Sequence, residues 1–233
     1  MTPIRPPKAA KPKPKKRSAS SARWLHRQRT DPYVAEARRR GYRSRAAFKL
    51  IELDDRFRLL KAGARVVDLG AAPGGWTQVA VERVRPETSR GAVLAIDIAA
   101  MDAIAGAEGV VADVFAAELP DLVRQHLGGP ADVVLSDMAP AASGHPGADH
   151  LRIIGLAEAA LEVAAAILAP GGSFVCKVWQ GGATHDLLTA LKRLFATVRH
   201  AKPPASRAES AELYVVATGF RPERAEGPAP SSR

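Results

Sequence analysis

The sequence predicts an α/β fold, a mainly parallel β-sheet wound with helices on both faces. Two observations carry this. Between residues 64 and 220, short apolar runs rich in β-branched residues alternate with stretches of helical period, the pattern of βαβ units. At the first strand–helix junction the chain reads DLGAAPGGW (residues 68–76), with three glycines and one proline. A tight turn needs one or two glycines; a cluster at this junction lets the backbone approach a ligand closely. In such sheets ligands sit beyond the C-terminal ends of the strands, so the strand ends are the places to search.

Taken in order, residues 21–60 are helical in pattern, with a second helix starting at Ser44-Arg45-Ala46-Ala47. Its apolar positions Phe48, Ile51 and Leu59 recur at near-helical spacing. ARVVDL (64–69) is a strand and WTQVAVERV (76–84) a helix. AVLAIDI (92–98) and GVVADV (109–114) are strands, ELPDLVRQHL (118–127) a helix, and ADVVLSDM (131–138) a strand. A long helix covers 149–168 and ends at Pro170-Gly171-Gly172. SFVCKVW (173–179) is a strand, HDLLTALKRLF (185–195) a helix, and AELYVVATGF (211–220) the last strand.

Composition narrows the class. The 233 residues suffice for one large domain with appendages, and 46% are hydrophobic. No apolar run approaches membrane-spanning length, and the basic start lacks the apolar segment of a secretory signal. One cysteine, Cys176, excludes an internal disulfide framework and a cysteine-based zinc site. A soluble cytoplasmic protein is expected. Its charge is uneven: residues 1–45 hold 15 of the 34 Lys and Arg but only two of the 24 acids, Asp31 and Glu36. Residues 1–22 read as a disordered basic arm, 23–220 as one domain, and 221–233 as a disordered tail. A solvated tail is one reading of the arm. Contact with RNA phosphates, shared by Arg38-Arg39-Arg40, Arg43 and Arg45, is another; a mitochondrial transit peptide is a third, disfavoured because the prolines at 3, 6, 7, 12 and 14 spoil an amphipathic helix.

The strand ends carry three acids in step with the glycine loop, the first of them Asp68 at the end of the first strand. Asp97 ends the second strand, where an acid holds a ribose diol in this architecture. Asp113 lies at the end of the third strand, placed to accept from an exocyclic amine such as that of adenine. In the glycine loop, Gly74 and Gly75 leave room for the ligand and Trp76 offers a flat apolar wall. The dinucleotide pattern G-x-G-x-x-G and the G-x-x-x-x-G-K phosphate loop are both absent. A nucleoside pocket without phosphate grips suits S-adenosylmethionine better than NAD or ATP. Beyond these, Asp137 ends the fourth strand, Lys177 interrupts an apolar strand, and Glu212 opens the last one. Cys176 and Lys177 point to opposite faces of their strand, which makes Cys176 a core residue. Lys49, alone on its helix, reads by itself as a solvated surface lysine.

DLGAAPGGW, SDMAP (136–140), FVCKVWQG (174–181), SRAESAELYVVATGF (206–220) and the lead-in DPYVAEARRRGYRSRAAFKLIELDDRF (31–57) resemble the FtsJ family of ribose 2′-O-methyltransferases. The likeness runs from about Trp24 to Phe220. It implies a Rossmann-like class I methyltransferase fold with a mostly parallel seven-stranded sheet. It implies a catalytic tetrad of Lys49, Asp137, Lys177 and Glu212. It also implies that Gly74, Trp76, Asp97, Asp113 and Asp137 line the S-adenosylmethionine site. The implied substrate is a uridine ribose in 23S ribosomal RNA of the assembled 50S subunit, and a monomer is the expected state. One departure follows SDMAP, where Ala141-Ala142 stands in place of the family's Asn-Met.

On this reading Lys177 is the base that removes the 2′-hydroxyl proton. A neighbouring cation (Lys49) and burial would favour its neutral form; Asp137 and Glu212 would favour its charged form. The sequence leaves the balance open. Amino-directed methyltransferases carry an Asn/Asp-Pro-Pro-Tyr motif, absent here, and base C5 methylation needs a strand-end nucleophilic Cys, whereas Cys176 lies mid-strand. An NAD-type oxidoreductase is disfavoured by the missing fingerprint, and a non-catalytic RNA-binding protein by the complete tetrad. His145 and His150 share a loop, but no third ligand completes a metal pattern.

Overall fold

The computed structural model describes residues 30–140, 146–180 and 185–222. The arm 1–22, the pair Ala141-Ala142, His145 and residues 223–233 lie outside the described residues. Two helices come first, α1 (Pro32–Arg40) and α2 (Ala46–Phe57). Asp31 caps α1 by accepting from the Tyr33 N–H (3.0 Å), Pro32 opens the helix, and Gly41 closes it at φ +77°. Then follow β1 (Arg65–Leu69), α3 (Gly75–Val84), β2 (Ala92–Asp97), β3 (Glu108–Val111), α4 (Leu119–Leu127), β4 (Ala131–Ser136), α5 (Pro146–Ile167), β5 (Leu168–Trp179), α6 (His185–Leu194), β6 (Phe195–Ala201) and β7 (Glu212–Phe220).

Among the described residues these strands form one seven-stranded sheet in the order β3-β2-β1-β4-β5-β7-β6. Strands β1 to β5 pair in parallel; β7 runs antiparallel to both β5 and β6. Consecutive strands step outward from β1 to β3 and then cross to β4 on its other side. The switch point therefore lies between β1 and β4, where this architecture opens a ligand crevice. The central strands are buried on both faces, which explains their nearly unbroken apolar runs. One face packs Val66, Val93, Leu135, Val175 and Tyr214 against α2 and α3. The other packs Val67, Leu94, Val134, Phe174 and Cys176 against α4, α5 and α6. Cys176 is fully buried, and burial pushes its thiol up to about 12, which keeps it inert.

Two elements differ from expectation. Pro170-Gly171-Gly172 does not end α5 in a loop: the helix stops at Ile167 and the segment lies within β5. There it is looped out, so that β4 pairs Ala131 with Leu168 but Val133 with Ser173. Strand β6 has no counterpart in the sequence pattern, and the helix expected through Phe195 ends at Leu194. In β6 only Phe195 and Ala201 are buried, so its sequence shows no inside–outside alternation. Backbone pairing with β7 makes it a strand.

Candidate active site

The sheet topology brings the four candidate catalytic residues to one edge. Asp137 follows the C-terminal end of β4, and Lys177 lies near the C-terminal end of β5. Because β7 is antiparallel, its first residue, Glu212, reaches that same edge opposite Trp179. Lys177 pairs with Tyr214 in that register, so Lys177, Tyr214 and Glu212 share the face covered by α2. Lys49 projects from α2 onto this face. It is 8% exposed, not the solvated lysine its helix alone suggested.

The four side chains form a continuous ionic chain. Glu212 Oε2 lies 2.7 Å from Lys49 Nζ, which lies 4.0 Å from Asp137 Oδ2. Asp137 Oδ1 lies 3.0 Å from Lys177 Nζ, and Lys177 also donates to the Asp137 backbone carbonyl at 2.6 Å. Two cations balance two carboxylates, which is what makes burial of the two lysines beside half-buried Asp137 and Glu212 tolerable. Burial raises the Asp137 carboxyl, but the Lys177 and Lys49 charges and a Tyr214 hydrogen bond outweigh it and hold it below its ordinary value.

Three further residues complete the cluster. Tyr214 Oη donates to Asp137 Oδ1 at 2.7 Å, and Lys49 Nζ sits 5.7 Å from the centre of its ring. Burial, then the nearby Asp137 and Glu212 charges, keep the phenol proton on well above its usual range. Ser206 Oγ donates to Glu212 Oε1 at 2.8 Å. Asp68, the last residue but one of β1, accepts from Thr77 Oγ1 at 2.7 Å; burial foremost raises its carboxyl to about 7, with Asp137 and Asp97 adding to the effect. The sequence held a signal for Tyr214: it stands two residues after Glu212, hence on the same side of the strand. It held none for Ser206, and it grouped Asp68 with Asp97 and Asp113 as a strand-end acid of the nucleoside pocket, whereas Asp68 is buried against Thr77 and lies off the wall of the cavity beside this cluster.

Beside this cluster a cavity of about 450 Å³ opens at the β1/β4 switch point. Its wall comes from Gly70 and Ala72 of the glycine loop, from Asp97 and Ile98, from Asp113 and Phe115, and from Asp137 and Met138. Asp137 thus belongs to both cavity and ionic chain. Asp97 accepts from the N–H groups of Ala72 (2.9 Å) and Ala99 (2.8 Å), and Asp113 from that of Phe115 (3.1 Å). Gly70 adopts φ +75°, and a Cβ there would collide with Met138. Any larger residue would push the loop off β4.

Several expectations need correction. The Trp76 side chain is no wall of this cavity: it is buried, its Nε1 donates to the Ala46 carbonyl (2.8 Å), and its ring lies 5.6 Å from that of Tyr214. An indole is more stable there, with its apolar body packed and its N–H partnered. Gly74 also lies off the cavity wall. It caps α3 at φ +108°, where a Cβ would come within 2.6 Å of Ile104 Cδ1. Arg43 and Arg45 are not free for phosphates either. Arg45 pairs with Asp31 (3.0 Å) and donates to the Ala205 carbonyl, while Arg43 donates to three backbone carbonyls. Arg39 and Arg40 pair with Glu36 but remain largely exposed at the end of α1. Among the described residues no helix is long and apolar enough to cross a membrane.

Known proteins resemble this chain in sequence and fold. The model of the FtsJ-like methyltransferase family matches residues 42–220. The ribosomal RNA large subunit methyltransferase E of Paramagnetospirillum magneticum is 61% identical over 209 residues, spanning 89% of this chain and 86% of that protein. Its counterpart from Gluconobacter oxydans is 57% identical over 208 residues, spanning 89% and 76%. Among solved structures, a Plasmodium falciparum protein described as a ribosomal RNA methyltransferase superposes with a TM-score of 0.68 at 30% identity, over 77% of this chain and 98% of that one. The fold is also that of the fibrillarin/Nop5p crystal structure (TM-score 0.53, 17% identity, 75% of this chain and 83% of that one). By the family model's match across residues 42–220 and relatives 57–61% identical over most of its length, the chain belongs to the FtsJ-like methyltransferase family.

Proposed function

We propose that the protein transfers a methyl group from S-adenosylmethionine to the ribose 2′-hydroxyl of a uridine in 23S ribosomal RNA, acting on the large (50S) subunit. One observation carries the reading: Asp137 joins a nucleoside-sized cavity to a Lys–Asp–Lys–Glu chain. The large-subunit RNA substrate is supported by the names of the relatives at 57–61% identity.

The residues fit the cofactor. The cavity walls are largely apolar, with carboxylates at its rim. Asp97 would hold the ribose hydroxyls and Asp113 the adenine amine; each carboxylate has acceptor sites beyond the backbone bonds it already makes. Trp76 would serve through its backbone N–H; the Gly74 N–H already donates to the Ala71 carbonyl (2.7 Å), so Gly74 would serve only by the turn it makes as N-cap. Trp76 stands in the first turn of α3, where N–H groups have no intrahelical partner and favour an anion such as the cofactor carboxylate. The bound cofactor supplies a methyl group on a positive sulfur.

The chain's own residues prepare the acceptor oxygen. Once Lys177 has released to solvent the proton it carries in its ion pair with Asp137, its amine accepts the 2′-hydroxyl proton and is again an ammonium ion facing Asp137. Asp137 and Glu212 hold the two lysines in place, and Lys49 offsets the charge gathering on the oxygen. Holding oxygen and methyl in line can supply up to roughly 7–11 kcal/mol, and proton removal roughly 10²–10⁴-fold. The basic arm would add RNA phosphate contacts.

The test is transfer of labelled methyl to purified 50S subunits and to free 23S RNA, with the product ribose mapped. Lys177→Ala and Lys177→Arg should both lose at least ~10²-fold in turnover. Full activity in either variant overturns the role of Lys177; labelled bases in place of ribose overturn the reaction.

A further inference from the structure

We infer that Arg43 is a positioning residue that sets the cofactor loop against the catalytic helix α2; the inference rests on the proposed cofactor and acceptor. Arg43 lies in the turn between α1 and α2. Its guanidinium donates to the carbonyls of Pro73 (3.2 Å), Asp102 (2.7 Å) and Ala103 (2.7 Å). Pro73 belongs to the glycine loop, one residue past Ala72 of the cavity wall. Asp102 and Ala103 lie on the segment that leaves Asp97 and Ile98, also of that wall. One planar cation therefore grips both segments that frame the proposed ribose site. Gly74 packs directly on it, since a Cβ there would lie 3.1 Å from Arg43 Nη1.

The same turn is tied to α3 by other means. The Arg43 N–H donates to Gln78 Oε1 (2.8 Å), and Gln78 Nε2 donates to the Gly41 carbonyl (3.0 Å). Trp76 Nε1 reaches the Ala46 carbonyl at the start of α2. One turn of α2 beyond Ala46 stands Lys49. The lysine is thus referenced to the cofactor loop through this single turn, and Arg43 is its only link to the Asp102–Ala103 segment among the hydrogen bonds of the described residues. No carboxylate pairs with Arg43 among the described residues. Its charge is directed at carbonyl dipoles, and only a planar fork with several donors can reach three of them together.

Lysine, a compact point charge, can keep part of this grip; alanine keeps none. A grip on the loop predicts a specific kinetic pattern. Calorimetric titration of Arg43→Ala with S-adenosylmethionine should show roughly tenfold weaker binding, the loss of charged hydrogen bonds net of solvent compensation. At saturating cofactor, kcat on 50S subunits should still fall about tenfold or more, because the acceptor and methyl are misaligned. Arg43→Lys should recover part of both. The affinity for 50S subunits and its salt dependence should stay at the wild-type level. If instead the salt slope drops and cofactor affinity holds, Arg43 is a phosphate contact and the inference is overturned. Wild-type kcat and cofactor affinity in Arg43→Ala overturn it as well, as does a uniform loss that tracks a lowered Tm and is equal in the Ala and Lys variants. Should Arg43→Ala not fold, Arg43→Lys and Arg43→Gln carry the same comparison. A wild-type protein that binds S-adenosylmethionine yet methylates no ribosomal RNA would refute the proposed acceptor, while the binding arm would still decide the role of Arg43.

Discussion

Asp68 should make this protein less stable as pH rises toward neutrality, and Asp68→Asn should remove that dependence. The carboxyl is 1% exposed, and its ordinary value of 3.8 is raised to about 7 in the fold. A folded state that holds a proton more tightly than the unfolded chain gains stability at low pH. That gain is complete below about pH 4 and is lost as pH climbs through about 7. A shift of about three units corresponds to about 4 kcal/mol in total, or about 1.4 kcal/mol per pH unit within the window. Asparagine can still accept from Thr77 Oγ1 and never ionises. The difference in unfolding free energy between variant and wild type should therefore widen by about 1.4 kcal/mol per unit from pH 5 to 7, then level off. With a urea m-value of roughly 2–3 kcal/mol/M, that is a relative midpoint shift of roughly 0.5 M per pH unit. Other titrating groups cancel in the difference, which is why the pair is measured together. Parallel midpoint curves from pH 5 to 8 would mean that Asp68 is ionised throughout, and the reasoning would fail.

Three other outcomes are expected. Tyr214→Phe keeps the ring beside Trp76 and Lys49 but deletes the bond to Asp137. Its kcat should fall about tenfold and the acid limb of the pH–rate profile should move to higher pH, since a support of ionised Asp137 is gone; an unmoved limb would count against it. Gly70→Ala, at φ +75° and against Met138, should lose about 1–3 kcal/mol of stability by thermal or urea unfolding and weaken S-adenosylmethionine binding in a calorimetric titration. Removing residues 1–22 should weaken binding to RNA and lower the salt slope by roughly 0.7–0.9 for each phosphate the arm had neutralised, with cofactor affinity unchanged.

What the sequence made legible was whatever repeats along the chain or stands out of place in it. Strands β1, β2 and β4 are doubly buried and read as apolar runs. The glycine loop advertised itself by composition, and Lys177 and Glu212 by being charged within apolar strands. Strand β6 was invisible because an exposed edge strand is held by backbone bonds that leave no mark on side-chain pattern. Trp76 and Arg43 mislead for a related reason. Their residue types announce stacking and phosphate binding, yet packing against Ala46, Tyr214 and three distant carbonyls decides what they do. Lys49 shows the limit most sharply: on its helix it is an ordinary lysine, and only the fold brings it 2.7 Å from Glu212.

The antiparallel strand explains why the site lies where it does. In a purely parallel sheet every strand would offer only its C-terminal end to the ligand side, and a residue that opens a strand would face the opposite edge. Reversing β7 turns its first residue toward the loops that follow β4 and β5. Glu212 and Tyr214 can then reach Lys49, Lys177 and Asp137 from regular strand positions, with backbone pairing fixing Lys177 opposite Tyr214. On the proposed mechanism Lys177 is the proton acceptor; on a strand it is held more rigidly than on a loop, and alignment is most of what that methyl transfer would ask of the protein. The cofactor side keeps the looser design, in which loops after β1, β2 and β3 close around a cavity. Asp137, at the start of the loop after β4, is where the rigid half and the adaptable half meet, so its substitution should damage cofactor binding and turnover together, whereas loss of Glu212 should damage turnover alone.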